Sequence, residues 1–303
     1  MLDKNINPEK ISIGWIGTGI MGSPMCGHII DQGYNTFVFT RTKSKALELI
    51  NKGAIWTNTP SEVAENSDIV FSIVGFPGDV EEVYFGDKGV FKSLKRGSVV
   101  VDMTTTEPSI AKKIFQTAKE LGSSSIDAPV SGGDVGAVSG NLSIMVGGEK
   151  EVVDKLMPLF ELMGNKIIYQ GKAGSGQHAK MCNQIVVAGN MIGLCESLLY
   201  CFKSGLDPET MIQSVGSGAA SSWLLNNLGP RIVKKDYAPG FFVDHFIKDM
   251  EVAVKESELM GIDLPGLKLV KSLYEKASEL GYGKLGTQAL FLALEHVSKT
   301  ENN

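Results

Sequence analysis

The sequence lacks several features that mark particular classes of protein. Only four of its 303 residues are cysteines, and Cys26, Cys182, Cys195 and Cys201 form no CxxC pair, so we predict no metal site and no disulfide framework. All four thiols are expected to be free and buried, as in a reducing compartment. A net charge of −5 without a long basic block argues against nucleic acid or an anionic membrane as a partner.

A signal peptide and a membrane span are also not predicted. Residues 1–10 are polar and contain no apolar signal core. One long apolar run extends from Ala179 to Phe202, but charged residues interrupt it at Lys180 and Glu196. With 43% hydrophobic residues the chain has ample material for two cores, so we expect a cytoplasmic, soluble protein.

Short apolar strands alternate with helical patterns through the first half of the chain. This alternation is typical of a parallel, doubly wound sheet, and we therefore predict an α/β, Rossmann-like N-terminal domain. After Lys172 the pattern becomes all-helical, which predicts an all-α C-terminal domain linked by a long helix, with domains at residues 1–173 and 174–303. The predicted strands are residues 11–16, 36–40, 69–74, 98–102, 124–127, 142–146 and 167–169.

A GxGxxG motif directly follows the first predicted strand and opens a helix. In that setting the motif indicates a dinucleotide site at a helix N-terminus. Gly17 permits the turn, Gly19 lets the backbone approach a pyrophosphate, and Gly22 allows close helix packing. We predict that the cofactor binds to Gly17, Thr18, Gly19, Ile20, Met21 and Gly22.

The second predicted strand ends without the acidic residue that binds the ribose hydroxyls of NAD. Arg41 and Thr42 stand there instead. A guanidinium with a neighbouring hydroxyl suits a 2′-phosphate, so NADP(H) is favoured over NAD(H). If Arg41 is only a solvated loop charge, the choice of cofactor stays open.

Two more loops follow predicted strands, where ligands collect in such folds. The hydroxyls of Thr104, Thr105 and Thr106 are placed to contact nicotinamide or substrate, although Thr104 could instead cap the next helix. Residues 131–133, Ser-Gly-Gly, could form an anion nest for a carboxylate, or simply an ordinary glycine-rich loop.

The apolar run from Ala179 to Phe202 predicts a helix that is buried nearly all round, with Lys180 and Asn183 on one face of its first turn. The helix dipole and apolar neighbours should make it easier for Lys180 to lose its proton, which suits a general acid or base. The alternative is that Lys180 extends to solvent from a helix end.

Taken together, the motifs resemble those of the β-hydroxyacid dehydrogenase family, over essentially the whole chain. The related 6-phosphogluconate dehydrogenases have a much longer C-terminal part than this chain, so we do not expect it to be one of them. The resemblance rests on the glycine motif of residues 16–22, on residues 127–133 with Gly136, Ala137 and Gly140, on residues 174–183, and on Lys248 with Asp249.

The resemblance implies roles for individual residues. Lys180 would be the catalytic lysine, with Asn183 positioning the substrate. Substrate binding would involve Ser131, Gly132 and Gly133, with Lys248 and Asp249 bordering the site and Lys248 also contacting the cofactor. Arg41 with Thr42, and Phe241 eight residues before Asp249, are similar to the NADPH-dependent glyoxylate/succinic semialdehyde reductase branch, which also implies Thr105 as an active-site residue and Phe241 as a substrate contact.

These observations predict an oxidoreductase that transfers a hydride between NADP(H) and a small carboxylated semialdehyde or β-hydroxyacid. Substrates of the glyoxylate, succinic semialdehyde, 3-hydroxyisobutyrate and tartronate semialdehyde type stay open. The alternatives are an NAD-dependent 3-hydroxyisobutyrate dehydrogenase, an imine reductase and a non-catalytic NADP-binding module. The apolar second half and the resemblance both favour a homodimer or homotetramer, with no nucleic-acid or membrane partner.

Overall fold

The computed structural model describes the backbone of residues 6–300 and the side chains of residues 6–298. The chain divides into two compact units, Met1–Lys180 and Met181–Asn303. Each unit has a hydrophobic core of its own. The candidate cofactor residues of the glycine motif belong to the first unit, and Asn183, Phe241, Lys248 and Asp249 belong to the second.

The first unit is built on one sheet, whose order is β3-β2-β1-β4-β5-β6-β8-β7, with β9 paired to β8. Pairs from β3 through β6 are parallel, which confirms the predicted Rossmann-like sheet. Both β6 and β7 pair with β8 antiparallel, and β9 runs parallel to β8. The strands described are β1 (Ser12–Ile16), β2 (Asn35–Phe39), β3 (Ile55–Trp56), β4 (Ile69–Ser72), β5 (Val99–Asp102), β6 (Ser124–Asp127), β7 (Val130–Ser131), β8 (Leu142–Gly148) and β9 (Gly164–Gly171).

Helices cover both faces of this sheet, which explains why its central strands are apolar without alternation. In β4, Phe71 belongs to the core on one face, where its ring stacks on Trp15 with centroids 5.5 Å apart, while Val70 belongs to the core on the other face. The helices of the first unit are α1 (Gly22–Asp31), α2 (Leu47–Asn51), α3 (Pro60–Asn66), α4 (Pro77–Phe85), α5 (Pro108–Glu120), α6 (Gly133–Ser139) and α7 (Lys150–Phe160).

Three of the elements named above were not predicted. Strands β3 and β7 have only two residues each, and helix α6 occupies residues that we expected to be a glycine-rich loop. Helix α6 ends at Gly140 in the left-handed conformation, φ 66°, which is a common helix C-terminus. The side chain of His28 on α1 contacts the carbonyl of Ala137, at 2.9 Å, and so helps to hold α6 in place.

Helix α8 (Ser175–Ser204) begins earlier than predicted and is less buried. Lys180 therefore lies in the second turn rather than the first, where the field of the helix dipole is weaker. Only 33% of the most apolar 18-residue window is buried, and Tyr200 is 75% exposed, so the expectation of a helix buried all round is wrong. By length and composition α8 is the one described helix that could cross a bilayer, a criterion that core helices of soluble proteins also meet.

The second unit is helical, as predicted. Its core includes an edge-to-face contact between Phe246 and Tyr274, with centroids 5.0 Å apart. Asp207 caps the helix that follows it by accepting the N–H of Thr210, at 2.8 Å. After the α8 segment the helices are α9 (Pro208–Val215), α10 (Trp223–Val233), α11 (Val243–Leu259), α12 (Pro265–Ala277) and α13 (Leu290–Thr300).

The cysteines are free, but the expectation that all four are buried is wrong for one of them. Cys26, Cys195 and Cys201 are buried, whereas Cys182 is exposed. Cys182 lies on the exposed side of α8, the side that we expected to be covered.

Candidate active site

The glycine motif has the geometry of a dinucleotide-binding turn. Gly17 has φ +97°, and a Cβ there would lie 2.0 Å from the carbonyl oxygen of Ile73. A Cβ on Gly22 would lie 2.1 Å from the carbonyl oxygen of Gly17. A Cβ on Gly19 would meet no atom within 4 Å. The first two glycines are therefore required by packing, and Gly19 keeps open a space at the start of α1 that suits a pyrophosphate.

Arg41 lies just beyond the end of β2, and its side chain is 79% exposed. Its Nη1 donates to Oδ1 of Asp79 on α4, at 2.8 Å. The other oxygen of Asp79 accepts the N–H of Phe76, at 3.1 Å, which fixes the carboxylate. Asp79 therefore holds the Arg41 guanidinium in a defined position at the strand end where a ribose 2′-substituent would lie.

The three threonines after β5 have different surroundings. Thr104 is buried, and its hydroxyl accepts the N–H of Val74, at 3.0 Å, so it caps no helix and contacts no ligand through this oxygen. Thr106 is also buried, whereas Thr105 is half-buried and hence the most accessible of the three. The structure thus favours Thr105 as the threonine that can reach a ligand.

Gln177, at the start of α8, joins this threonine loop to the helix that carries Lys180. Its Nε2 donates to the carbonyl oxygen of Thr104, at 2.7 Å, and its Oε1 accepts the N–H of Thr106, at 3.1 Å. Gln177 is fully buried. Because the amide both donates and accepts, it can make both bonds at neutral pH, which an ionised carboxylate or an ammonium group could not.

The start of α8 is also held on the carboxyl end of β6. Asp127 accepts the N–H groups of Gly174, at 2.8 Å, and Gln177, at 2.9 Å. Burial raises the pKa of Asp127 in spite of these hydrogen bonds. A Cβ on Gly176 would lie 2.5 Å from the carbonyl oxygen of Met145, so glycine is needed for this close approach. These contacts explain the glycines of the 174–183 motif.

Asp102, at the end of β5 and opposite Asp127 in the sheet, is a buried carboxyl group that we did not consider. Its Oδ1 accepts the hydroxyl of Ser72, at 2.8 Å, and the N–H of Thr104, at 3.2 Å. Its Oδ2 has no hydrogen-bond partner among the described residues. Burial raises the pKa of Asp102 to about 6, against hydrogen bonds from Thr104 and Ser72 that lower it.

The Ser131-Gly132-Gly133 segment connects β7 to α6. Gly132 and Gly133 have φ values of +132° and +63°, which L-residues rarely adopt. Ser131 and Gly133 are half-buried and Gly132 is exposed, so the segment is open to a ligand. A Cβ on Gly133 would meet no atom within 4 Å. The turn therefore has both the accessible hydroxyl and the space that binding of a carboxylate requires.

Lys180 is only 7% exposed, so the expectation of a lysine that extends freely into solvent is not met. Asn183 follows it by three residues on α8 and is half-buried. Lys180 and Asn183 thus share one face of the helix, as the spacing predicted.

In the second unit, the remaining predicted residues lie on α11 or just before it. Nζ of Lys248 lies 2.7 Å from Oδ1 of Asp249, and Oδ2 of Asp249 accepts Nε2 of Gln184, at 2.6 Å. Phe241 is half-buried, with its ring 6.5 Å from that of His245. Burial and, second, the nearby Lys248 ammonium lower the pKa of His245, which favours the neutral imidazole.

Sequence reasoning missed Gln177, Gln184, Asp102, Asp79 and His245. His245 could have been found, because it stands three and four residues before Lys248 and Asp249, which is the spacing of one helical turn. For the two glutamines the only signal was a neutral polar residue on an otherwise apolar helix, one turn before and one turn after Lys180.

Comparison with known sequences shows that the chain matches two profiles of nicotinamide dinucleotide-binding domains. The sequence profile described as the NAD binding domain of 6-phosphogluconate dehydrogenase matches residues 12–171, and that described as the NAD-binding of NADP-dependent 3-hydroxyisobutyrate dehydrogenase matches residues 174–294. The two profiles together cover most of the chain.

Individual relatives are similar over nearly their whole length. "Probable 3-hydroxyisobutyrate dehydrogenase-like 1, mitochondrial" of Arabidopsis thaliana is 50% identical over 97% of this chain and 88% of its own. The 2-hydroxy-3-oxopropionate reductase of Escherichia coli is 39% identical over 94% and 97%. The structure of Mycobacterium tuberculosis 3-hydroxyisobutyrate dehydrogenase with L-serine is 25% identical and superposes with a TM-score of 0.85, covering 94% of this chain and 99% of that one. The fold, the nicotinamide dinucleotide-binding turn and these matches show that the chain belongs to the β-hydroxyacid dehydrogenase family of oxidoreductases.

Proposed function

We propose that this protein catalyses reversible hydride transfer between NADP(H) and a small carboxylated aldehyde or its hydroxyacid, with Lys180 as general acid and base. The observation that carries the proposal is the burial of Lys180 near the start of α8. Gln177 joins this part of the helix to the Thr104–Thr106 loop. A nearly buried lysine one turn after a glutamine that is bonded to this loop is a suitable proton donor to a substrate oxygen.

The cofactor would be held by the glycine turn and by Arg41. The open space at Gly19 fits a pyrophosphate at the N-terminus of α1, and the guanidinium of Arg41 fits a 2′-phosphate. When bound, NADPH supplies the hydride to the carbonyl carbon of the substrate. Asp79 keeps the Arg41 side chain at the strand end, and so reduces the conformational entropy that this side chain loses when the cofactor binds.

Lys180 handles the proton. During reduction its ammonium group donates one proton to the carbonyl oxygen as negative charge develops there, so that hydride and proton together give the alcohol. During oxidation the neutral amine takes the hydroxyl proton back. Asn183, three residues later on α8, donates a hydrogen bond to the same oxygen.

The substrate carboxylate would bind to Ser131 and to the backbone N–H groups of the Gly132-Gly133 turn. The E. coli relative is named as a reductase of 2-hydroxy-3-oxopropionate, which is a small carboxylated aldehyde. Glyoxylate and succinic semialdehyde share its chemistry, and we include them in the proposed class. Phe241 would contact the substrate, and Lys248 would contact the cofactor or substrate.

Lys180→Met tests the proposal directly. General acid catalysis contributes about 10²–10⁴-fold, so the variant should lose at least about 10²-fold in kcat with NADPH and each aldehyde, measured at 340 nm. NADPH binding and thermal stability should stay close to wild type. Lys172→Met, which changes an exposed lysine of the same unit, is the matched control and should leave kcat unchanged. Near-normal turnover of Lys180→Met would remove Lys180 from the mechanism.

An NAD-dependent 3-hydroxyisobutyrate dehydrogenase is the second candidate. The ion pair with Asp79 supports it, since a carboxylate beside Arg41 also repels a 2′-phosphate. The names of the Arabidopsis and mycobacterial relatives give 3-hydroxyisobutyrate as the substrate but name no cofactor. Faster turnover of 3-hydroxyisobutyrate with NAD⁺ than of any aldehyde with NADPH would favour this candidate, and cofactor binding without turnover of any substrate would favour a non-catalytic module.

A further inference from the structure

A continuous chain of short polar contacts in the second unit ends at Asn183. Nδ2 of Asn183 donates to Oε1 of Gln184, at 2.6 Å, and Nε2 of Gln184 donates to Oδ2 of Asp249, also at 2.6 Å. Nζ of Lys248 lies 2.7 Å from the other oxygen of Asp249. Consecutive residues of a helix normally point apart, so the first contact shows that the Asn183 side chain is turned back toward Gln184.

The charge of Asp249 determines which way each amide in this chain points. An ionised carboxylate only accepts hydrogen bonds, so Gln184 must present its NH₂ group to Asp249. The carbonyl oxygen of Gln184 then faces Asn183, so Asn183 must donate to it through its own NH₂ group. One N–H of Asn183 is thereby occupied, and its second N–H and its Oδ1 have defined directions.

Gln184 and Asp249 are both less accessible than Asn183. Gln184 is 2% exposed and Asp249 is 1% exposed. The resemblance had implied that Asp249 borders the substrate, but the structure turns its carboxylate toward Gln184 and Lys248. Asn183 is the half-buried end of the chain and therefore the member that can meet a ligand.

We propose that Gln184 is a positioning residue that sets the orientation of the Asn183 amide, with Asp249 and Lys248 as its anchor. This inference rests on the proposed function, in which Asn183 donates a hydrogen bond to the reacting oxygen. A misplacement of about 1 Å at such a contact costs about 10²-fold in rate, so the anchor contributes to kcat although it does not touch the substrate.

Two variants of Gln184 separate orientation from packing. Gln184→Met keeps the approximate size but removes both hydrogen bonds, and kcat should fall by about 10²-fold with little change in KM for NADPH. In Gln184→Glu an ionised side chain would face the Asp249 carboxylate, whereas a protonated one can donate to Asp249 and accept from Asn183. The kcat of Gln184→Glu should therefore recover as the pH is lowered from 8 to 5.5, relative to wild type, and that of Gln184→Met should not.

A buried glutamine elsewhere in the same unit is the matched control. Gln288 is 1% exposed and donates to the carbonyl oxygens of Asp236 and Ala238. Gln288→Met should lower thermal stability to a similar extent without changing the pH profile of kcat. If all three variants show the same pH profile, or if the kcat of Gln184→Glu does not recover at low pH, Gln184 is a structural residue only.

An NMR measurement keeps this test independent of the substrate. In protein labelled with ¹⁵N-asparagine, the side-chain NH₂ signals of Asn183 are identified by their loss in Asn183→Asp. Gln184→Met should shift these signals and speed their exchange with water, whereas Gln288→Met should leave them in place. Unchanged Asn183 signals in Gln184→Met would overturn the positioning role, whereas failure of the wild-type protein to turn over any aldehyde would overturn the proposed function alone.

Discussion

Replacing Gln177 tests whether the start of α8 is fastened to the threonine loop as the structure shows. In Gln177→Met the N–H of Thr106 and the carbonyl of Thr104 lose their buried partner. Each unpaired buried group costs about 1–3 kcal/mol, which gives about 2–6 kcal/mol for the two. In a unit of this size 1 kcal/mol corresponds to about 2–4 °C, so Tm should fall by at least about 4 °C.

The assay is thermal unfolding followed by circular dichroism, with Gln213→Met as the matched control. Gln213 is exposed on α9, where substitutions usually change stability by less than about 0.5 kcal/mol. A Tm for Gln177→Met within about 1 °C of wild type, at this conversion of 2–4 °C per kcal/mol, would refute the reasoning, because it would mean that the two backbone groups find other partners.

Gln177→Glu sharpens the test through its pH dependence. A charged carboxylate can still accept from Thr106 but has no proton for the carbonyl of Thr104, and burial disfavours the charged form. The pKa of the introduced carboxyl group in the folded variant should therefore lie above the ordinary glutamate value of about 4.3. A carboxyl group with a raised pKa stabilises the folded state more at low pH, so the Tm deficit should shrink from pH 8 to pH 5. The deficit of Gln177→Met should not change with pH.

Three further predictions follow from single contacts. The pKa of Asp102, raised from 3.8 to about 6, implies that about 3 kcal/mol of stability is lost as the pH rises from about 4 to about 7, and Asp102→Asn should flatten this part of the curve in urea unfolding. Gly17→Ala should lower Tm because its Cβ would lie 2.0 Å from a carbonyl oxygen, whereas Gly19→Ala should keep Tm. In a fluorescence titration Gly19→Ala should weaken NADPH binding by about tenfold through loss of a contact to charged phosphate. Arg41→Ala should raise KM for NADPH by about 10- to 100-fold with KM for NADH unchanged, while Lys45→Ala should change neither.

The sheet was predictable because the apolar pattern of each strand lies within a short stretch of sequence. Strands β4 and β5 are continuous apolar runs that end in polar residues, and burial on both faces of a parallel sheet produces that pattern. Helix α6 was missed for the opposite reason. It has only seven residues and contains two glycines, which are poor helix formers, so its tertiary contacts override its propensity.

The candidate site was only partly predictable, because its supporting contacts join distant parts of the chain. Gln177 bonds to a threonine 73 residues earlier, and Gln184 bonds to an aspartate 65 residues later. Periodicity shows that both glutamines lie on a helix but cannot name their partners. The burial of Asp249 was hidden for the same reason, because charged residues are rarely buried unless they are paired and its partner Gln184 is distant in the sequence.

The two glutamines also explain how α8 can be anchored tightly next to Lys180, the residue that we propose as general acid and base. Gln177, Lys180 and Gln184 are spaced by three and four residues, so they lie along one face of the helix. An acidic residue at either glutamine position could also accept hydrogen bonds, but its negative charge one turn from Lys180 would stabilise the ammonium form. A neutral amide both donates and accepts. Gln177 can therefore donate to a backbone carbonyl, and Gln184 to a carboxylate, without adding charge to the helix. Glutamine at these two positions therefore fixes the helix without placing a negative charge one turn from Lys180.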